Sequence, residues 1–138
     1  MIRAVIDTSV LVSAVMSPTG PNAQLFALIV AKKIRPYLTD EVLAEYHRVF
    51  DYPHLRHLDR RRISRLRGQL EAISVKVKSP GRLKISGHED DNRIYECAVA
   101  AKADYIVTEN AKHFRTPYKT TRIITARQLL KLVEVGQA

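Results

Sequence analysis

The sequence contains a single cysteine, Cys97, which excludes an internal disulfide bond. Cys97 lies in an apolar run, so we expect it to be a small buried hydrophobic residue. No apolar stretch reaches the roughly 18 residues that a membrane-spanning helix requires, and the first residues do not follow the pattern of a secretory signal. These absences predict a cytoplasmic protein without a membrane segment.

Glycine and acidic residues are also scarce. The chain has only 5 glycines, and no Gly-x-Gly-x-x-Gly pattern follows the first apolar run, which disfavours a dinucleotide-binding protein. Asp and Glu total 14 against 23 Lys and Arg, so the formal net charge is +9. A positive excess of this size favours polyanionic partners, above all nucleic acid.

Apolar runs alternate with helical patterns along the chain, which predicts an α/β fold with a parallel sheet. Short β-branched or aromatic runs predict strands at residues 2–6, 36–38, 73–77, 105–108 and 122–124. Apolar residues at helical spacing predict helices that begin near residue 8 and then span about 23–33, 41–50, 58–70, 90–101 and 126–135. We therefore expect one domain over residues 1–138, a Rossmann-like three-layer α/β/α sandwich with a parallel central sheet of four to five strands.

Asp7 is the most informative single residue, because it follows the first apolar run and precedes a helix that begins at Thr8 and Ser9. That junction lies at the carboxyl edge of the predicted sheet, where open α/β folds bind their ligands. A lone Asp at such a junction is more often a helix cap. The functional interpretation therefore depends on whether other polar groups reach the same edge.

Three further side chains are expected there. Glu45 lies on the helix after the second strand, Asp91 opens the helix before the 105–108 strand, and Asn110 follows that strand. Taken singly, Glu45 fits a solvated helix residue and Asp91 a helix cap. Carboxylates gathered in one cleft repel one another unless a hard cation neutralises them, and Mg²⁺ or Mn²⁺ prefers oxygen ligands. With Asp7, the set predicts a site where such a metal activates water against a phosphodiester.

Four segments, in this order and at fitting spacings, resemble the motifs of PIN-domain ribonucleases. They are Val5-Ile6-Asp7-Thr8-Ser9, Leu43-Ala44-Glu45-Tyr46, Asp90-Asp91-Asn92 and Ala103-Asp104-Tyr105-Ile106-Val107-Thr108-Glu109-Asn110. The resemblance covers nearly the whole chain and is closest to the VapC-like toxins of toxin–antitoxin systems. It implies a PIN-like fold and nuclease activity.

Position by position, the resemblance implies a set of catalytic residues, namely Asp7, Glu45, Asp91 and Asn110. The first three would be the metal ligands. It also implies hydroxyl groups that support the first acid, namely Thr8, Ser9 and Thr108. The family has an acid where Asn110 stands, so this chain has one negative charge fewer at the site.

Basic residues outside the motifs are candidates for contacts with the RNA backbone, because phosphate contacts supply most non-specific affinity. They are Arg56, Arg60, Arg61, Lys112, His113 and Arg115. The Arg-rich segment from 60 to 67 also fits a solvated helix face. His54 and His57 lie three residues apart, but a zinc site needs three or four ligands, so we do not interpret them as a metal pair.

The sequence therefore predicts a Mg²⁺- or Mn²⁺-dependent endoribonuclease, the toxin of a toxin–antitoxin pair. The resemblance further implies a small antitoxin protein that blocks the cleft and a homodimer built through helices. The alternative is a catalytically weakened PIN-like module that binds RNA or a protein partner. An aspartyl-nucleophile phosphatase is disfavoured because Ser9 stands where a second Asp is usual, and a receiver-like domain because the chain lacks an early acid pair.

Overall fold

The structure is a computed structural model that describes residues 1–110, 114 and 118–136. Its strands are β1 (Ile2–Ile6), β2 (Ile34–Leu38), β3 (Val75–Lys76), β4 (Tyr105–Val107) and β5 (Arg122–Ile124). Its α-helices are α1 (Thr8–Met16), α2 (Pro21–Val30), α3 (Asp40–Arg48), α4 (Arg60–Ile73), α5 (Glu89–Ala101) and α6 (Ala126–Glu134). Two 3-10 turns, Val49–Asp51 and Pro53–Leu55, connect α3 to α4.

The five strands form one parallel sheet in the order β3-β2-β1-β4-β5. β1 lies at its centre, with Val5 paired to Tyr37 of β2 and Ile6 paired to Val107 of β4. The predicted α/β fold, with a parallel sheet flanked by helices, is confirmed. Because the chain passes from β1 to one side and later crosses to β4 on the other, a crevice forms outside the carboxyl ends of β1 and β4.

The central strands are apolar because helices cover both faces of the sheet. Ala4, Val5 and Ile6 of β1 are completely buried, as are Ile106 and Val107 of β4. No helix in the described ranges is both long enough and apolar enough to cross a membrane. Because β1 and β4 are held in the buried centre of the sheet, the residues that follow these two strands lie at its carboxyl edge.

Several predicted boundaries differ from the structure by two or three residues: the helix predicted over 23–33 is Pro21–Val30, the helix predicted over 58–70 is Arg60–Ile73, and the strand predicted at 36–38 begins at Ile34. Two further differences have a clear physical reason. The strand predicted at 73–77 is only Val75–Lys76, because Ile73 continues the apolar face of α4 set by Ile63, Leu66 and Leu70. The helix predicted to reach residue 50 ends at Arg48. Pro53 lacks an N–H group and restricts the residue before it, so the chain continues as 3-10 turns instead of α-helix.

Candidate functional site

A cleft of about 550 Å³ opens at the carboxyl edge of the sheet. Asp7, Glu45, Asp91 and Asn110 all line it, although they come from four separate segments of the chain. Asp7 follows β1 directly and Asn110 follows β4, so the crevice between these two strands brings them together. The structure thus places the four sequence-predicted catalytic residues around one cavity.

The side chain of Asp7 is held by hydroxyl groups. Asp7 occupies the N-cap position of α1, but it makes no capping hydrogen bond through its side chain. Its Oδ2 instead accepts hydrogen bonds from Ser9 Oγ at 2.6 Å and from Thr108 Oγ1 at 2.7 Å. The simple helix-cap interpretation of Asp7 therefore does not account for its contacts.

The same hydroxyl groups fix the segment that follows β4. Ser9 Oγ accepts a hydrogen bond from the Glu109 amide at 3.0 Å, and Thr108 Oγ1 accepts one from the Asn110 amide at 2.9 Å. The predicted supporting residues Ser9 and Thr108 therefore link Asp7 to the backbone of Asn110. Thr8 is also buried and lines the cleft.

Glu45 reaches the cleft from α3. Two hydrogen bonds fix the position of this helix, one at its N-terminus and one beside Glu45. Thr39 caps the helix by accepting a hydrogen bond from the Val42 amide at 3.2 Å, and the Tyr46 hydroxyl donates to the carbonyl of Ile6 at the end of β1. Because Tyr46 is adjacent to Glu45, this bond locks the helix turn that carries the carboxylate against the end of the central strand.

Burial, followed by the negative charges of Asp90 and Asp7, raises the pKa of Glu45 to about 7. The Thr8 hydroxyl and Arg48 oppose these effects. Burial also raises the pKa of Asp7, and the hydrogen bonds from its hydroxyl partners only partly offset the effect. The protein alone therefore disfavours full ionisation of these acids, which is the condition that a bound cation reverses.

Asp91 lies in the first turn of α5 and is nearly buried. His88 occupies the N-cap position of α5, so the helix-cap interpretation of Asp91 is wrong. Its turn is fixed by Asn92, which is fully buried. Asn92 Oδ1 accepts hydrogen bonds from the Ile85 amide at 3.0 Å and the Ser86 amide at 2.7 Å, which clamps the preceding loop to the helix.

Two acids that the sequence analysis did not count also line the cleft, Asp90 and Glu109. Asp90 forms an ion pair with Arg48 at 3.6 Å. Each of these acids directly precedes a counted residue, Asp91 or Asn110, and this adjacency is the sequence signal that could have included them. Tyr52 and His54 line the cleft as well, and no motif pointed to them.

The oxygen donors suit a hard divalent cation in their chemistry. Their geometry is open, since no three His, Cys, Asp or Glu side chains within the described ranges lie close enough together to hold a metal ion. Mutual repulsion keeps uncompensated carboxylates apart. Joint ligation by Asp7, Glu45 and Asp91 would therefore require their side chains to move towards one another.

Of the predicted RNA-contact residues, three lie within the described part of the chain, namely Arg56, Arg60 and Arg61. Arg60 donates from its guanidinium to the carbonyl of Phe50 at 2.8 Å, so it also holds the connection between α3 and α4. Arg56 and Arg61 are exposed. The remaining candidates lie outside the described residues, namely Lys112, His113 and Arg115.

Comparison with known proteins gives two matches. Residues 3–112, which include the four segments that line the cleft, match the family model described as PIN domain. The chain is also 30% identical over 104 residues to the uncharacterized protein MJ1680 of Methanocaldococcus jannaschii, across 74% of this chain and 67% of that protein. PIN domains are generally nucleases. The chain belongs to the PIN domain family.

Proposed function

We propose that this protein is a metal-dependent endoribonuclease that hydrolyses RNA phosphodiesters with an activated water. The observation that carries the proposal is the convergence of Asp7, Glu45, Asp91 and Asn110 on one cleft of a PIN domain. All four offer oxygen donors, and three are carboxylates. A cleft of this composition suits a divalent cation together with a phosphate group.

The carboxylates of Asp7, Glu45 and Asp91 would hold Mg²⁺ or Mn²⁺, and Asn110 would add a neutral oxygen. Such a cation, when bound, lowers the pKa of a water and offsets negative charge on the reacting phosphate. Ser9 and Thr108 orient the carboxylate of Asp7 by donating to its Oδ2. Glu45 would release its proton when the cation binds, because only the ionised carboxylate is a good ligand.

RNA is the proposed substrate, and the net charge of +9 supports a polyanionic partner. Unpaired RNA fits best, because its backbone can be splayed into a cleft that a rigid duplex cannot enter. The basic residues Arg56, Arg60 and Arg61 are the proposed backbone contacts within the described ranges.

The biological role that we propose is that of a toxin in a toxin–antitoxin pair. In this role the protein is a single PIN-like domain over residues 1–138 that acts in the cytoplasm as a homodimer. A small antitoxin protein would block the acidic cleft. Co-expression with the product of the adjacent gene tests the pairing, since a cognate antitoxin should form a stable complex and abolish cleavage.

A second candidate function is a catalytically weakened PIN-like module that binds RNA or a protein partner. The observation that favours it is the open arrangement of the acids, together with a neutral residue at Asn110. Binding without cleavage would then be the outcome in the presence of any divalent cation.

Incubation of a single-stranded RNA with the purified protein distinguishes the two candidates. The nuclease should cut the RNA at internal sites with Mg²⁺ or Mn²⁺ and should stop when the metal is removed with EDTA. Cleavage that continues undiminished in EDTA would contradict metal dependence. Retention of intact RNA in complex with the protein, with every metal tried, would favour the binding module.

A further inference from the structure

Two exposed aromatic side chains, Tyr52 and His54, lie on the wall of the acidic cleft. Their ring centroids are 6.2 Å apart and their planes differ by 26°, which is an offset stacked arrangement. Tyr52 is 39% exposed, and His54 is exposed as well. The ring pair is therefore presented to the cleft and to solvent.

The backbone that carries these rings is anchored. On either side of the pair, Phe50 and Leu55 are buried in the protein. The guanidinium of Arg60 donates to the carbonyl of Phe50 at 2.8 Å and to that of Leu55 at 3.5 Å, and the Leu55 amide donates to the carbonyl of Tyr52 at 2.9 Å. Because the segment is fixed at both ends, the rings need little ordering before a ligand binds.

The charged residues near Tyr52 and His54 in sequence indicate which kind of ligand could bind to the two rings. The arginines on either side of the pair in sequence, Arg48 and Arg56, are exposed, and Arg48 also forms an ion pair with Asp90 at 3.6 Å. Exposed aromatic rings next to cations are the combination that single-stranded nucleic acid uses, with bases stacked on the rings and phosphates near the cations. An apolar protein segment would use the rings but would gain nothing from the arginines.

We propose that Tyr52 and His54 form a stacking platform for an unpaired base adjacent to the phosphodiester that enters the cleft. The identity of this ligand rests on the proposed ribonuclease function. A base can stack on these rings only if one of its faces is uncovered. The platform therefore discriminates against duplex RNA, in which neighbouring bases cover both faces of each base. The same contact fixes the register of the strand relative to Asp7.

Binding measured without cleavage tests the platform. Fluorescence anisotropy would follow a labelled single-stranded RNA and the same oligomer with abasic sites, both in magnesium. All proteins would carry Asp7→Asn to prevent cleavage, and would be compared with and without Tyr52→Ala, Tyr52→Phe or His54→Ala. Arg35→Ala is the control for truncation of a surface side chain, because Arg35 is exposed near the amino end of β2, away from the cleft edge.

The platform predicts that the oligomer with bases binds about tenfold more tightly than the abasic one, a difference of about 1.4 kcal/mol that lies within the range of base–aromatic stacking. Tyr52→Ala should remove most of this ratio and His54→Ala should reduce it, whereas Tyr52→Phe and Arg35→Ala should retain it. An unchanged ratio in Tyr52→Ala, or equal binding of the two oligomers by the parent protein, would overturn the proposal. An unchanged ratio would leave the rings as a surface for a protein partner.

The outcomes for the platform and for the ribonuclease are separate. If RNA is cleaved in a metal-dependent manner but the ratio survives Tyr52→Ala, the platform is wrong and the nuclease stands. If the base preference depends on Tyr52 but no metal supports cleavage, the platform stands and the nuclease is wrong.

Discussion

Asn110 is the residue at which this chain departs from the acid-rich pattern that its motifs otherwise follow. It is exposed at the rim of the cleft, and its backbone is held by Thr108. An amide oxygen can coordinate a hard cation or hold one of its waters, but it adds no negative charge. Magnesium affinity should therefore be limited by the charge at this position.

Asn110→Asp should tighten magnesium binding by about tenfold, because an added carboxylate attracts a divalent ion strongly in a partly desolvated cleft. Isothermal titration calorimetry of the two proteins measures the difference. Gln69→Glu, an equal charge change at an exposed position of α4, should leave the affinity unchanged. Equal affinities for the parent protein and Asn110→Asp would mean that this position does not contribute to the metal site.

Glu45 makes stability depend on pH. Its pKa is about 7 in the folded protein against an ordinary value of 4.5, so between these values the folded state binds more protons than the unfolded state. In EDTA, the free energy of unfolding should therefore fall as the pH rises from about 4.5 to about 7. Thermal unfolding across this range should show the decline, and Glu45→Gln should make it shallower. The raised pKa of Asp7 acts in the same direction and leaves a residual slope.

Glu134→Gln provides the control for this pH dependence, since it neutralises an exposed glutamate on α6. Its unfolding profile should follow that of the parent protein. The assignment to Glu45 would be wrong if Glu45→Gln kept the full decline.

Among the elements, α5 and its preceding loop position one side of the cleft. Asn92 makes hydrogen bonds to both backbone groups of Ser86 and to the amide of Ile85. Asn92→Ala leaves these partly buried backbone groups without their partner, which should cost about 1–3 kcal/mol of the free energy of unfolding. Chemical denaturation measures the loss, and hydrogen exchange at the two amides should accelerate.

Gln69→Ala removes a side-chain amide from the exposed surface of α4 and should change the stability of the protein little. A similarly small effect of Asn92→Ala would show that the loop does not depend on this clamp. Because Asp91 precedes Asn92 directly, loosening of the loop should also weaken magnesium binding.

The sequence predicted those elements whose burial imposes a strong pattern. β1 and β4 were assigned to within one residue, because strands covered on both faces are continuously apolar. β3 was not, since Ile73 serves the apolar face of α4 as well as it would serve a strand. The local sequence pattern does not show whether Ile73 belongs to a helix or to a strand, because the packing that decides between the two involves residues distant in sequence.

The candidate site shows the same division. The positions of Asp7, Glu45 and Asp91 at one cleft were expected from the order of elements. The clamp formed by Asn92 and the exposed rings of Tyr52 and His54 were not, because they depend on how one loop is held against another part of the chain. Such contacts leave no periodic signature in the sequence.

Across the whole molecule, charge is divided unequally. The cleft is lined by five acidic side chains out of a total of 14, although the chain carries a net charge of +9. The surface outside the cleft is therefore strongly basic and favours RNA, while the cleft itself repels phosphate. A divalent cation bound in the cleft would offset this repulsion, so we expect cleavage to require a metal and RNA binding outside the cleft not to require one.

The most direct test asks whether the Asp7 carboxylate is required for metal-dependent cleavage of RNA. A single-stranded RNA would be incubated in magnesium with the parent protein, Asp7→Asn or Asp40→Asn. Asp7→Asn removes the buried carboxylate held by Ser9 and Thr108, whereas Asp40→Asn removes a carboxylate that is 80% exposed and lies outside the cleft. Thermal unfolding would establish that both variants are folded. We expect Asp7→Asn to reduce cleavage to background and Asp40→Asn to cleave like the parent protein. Equal cleavage by Asp7→Asn and the parent protein would contradict this expectation.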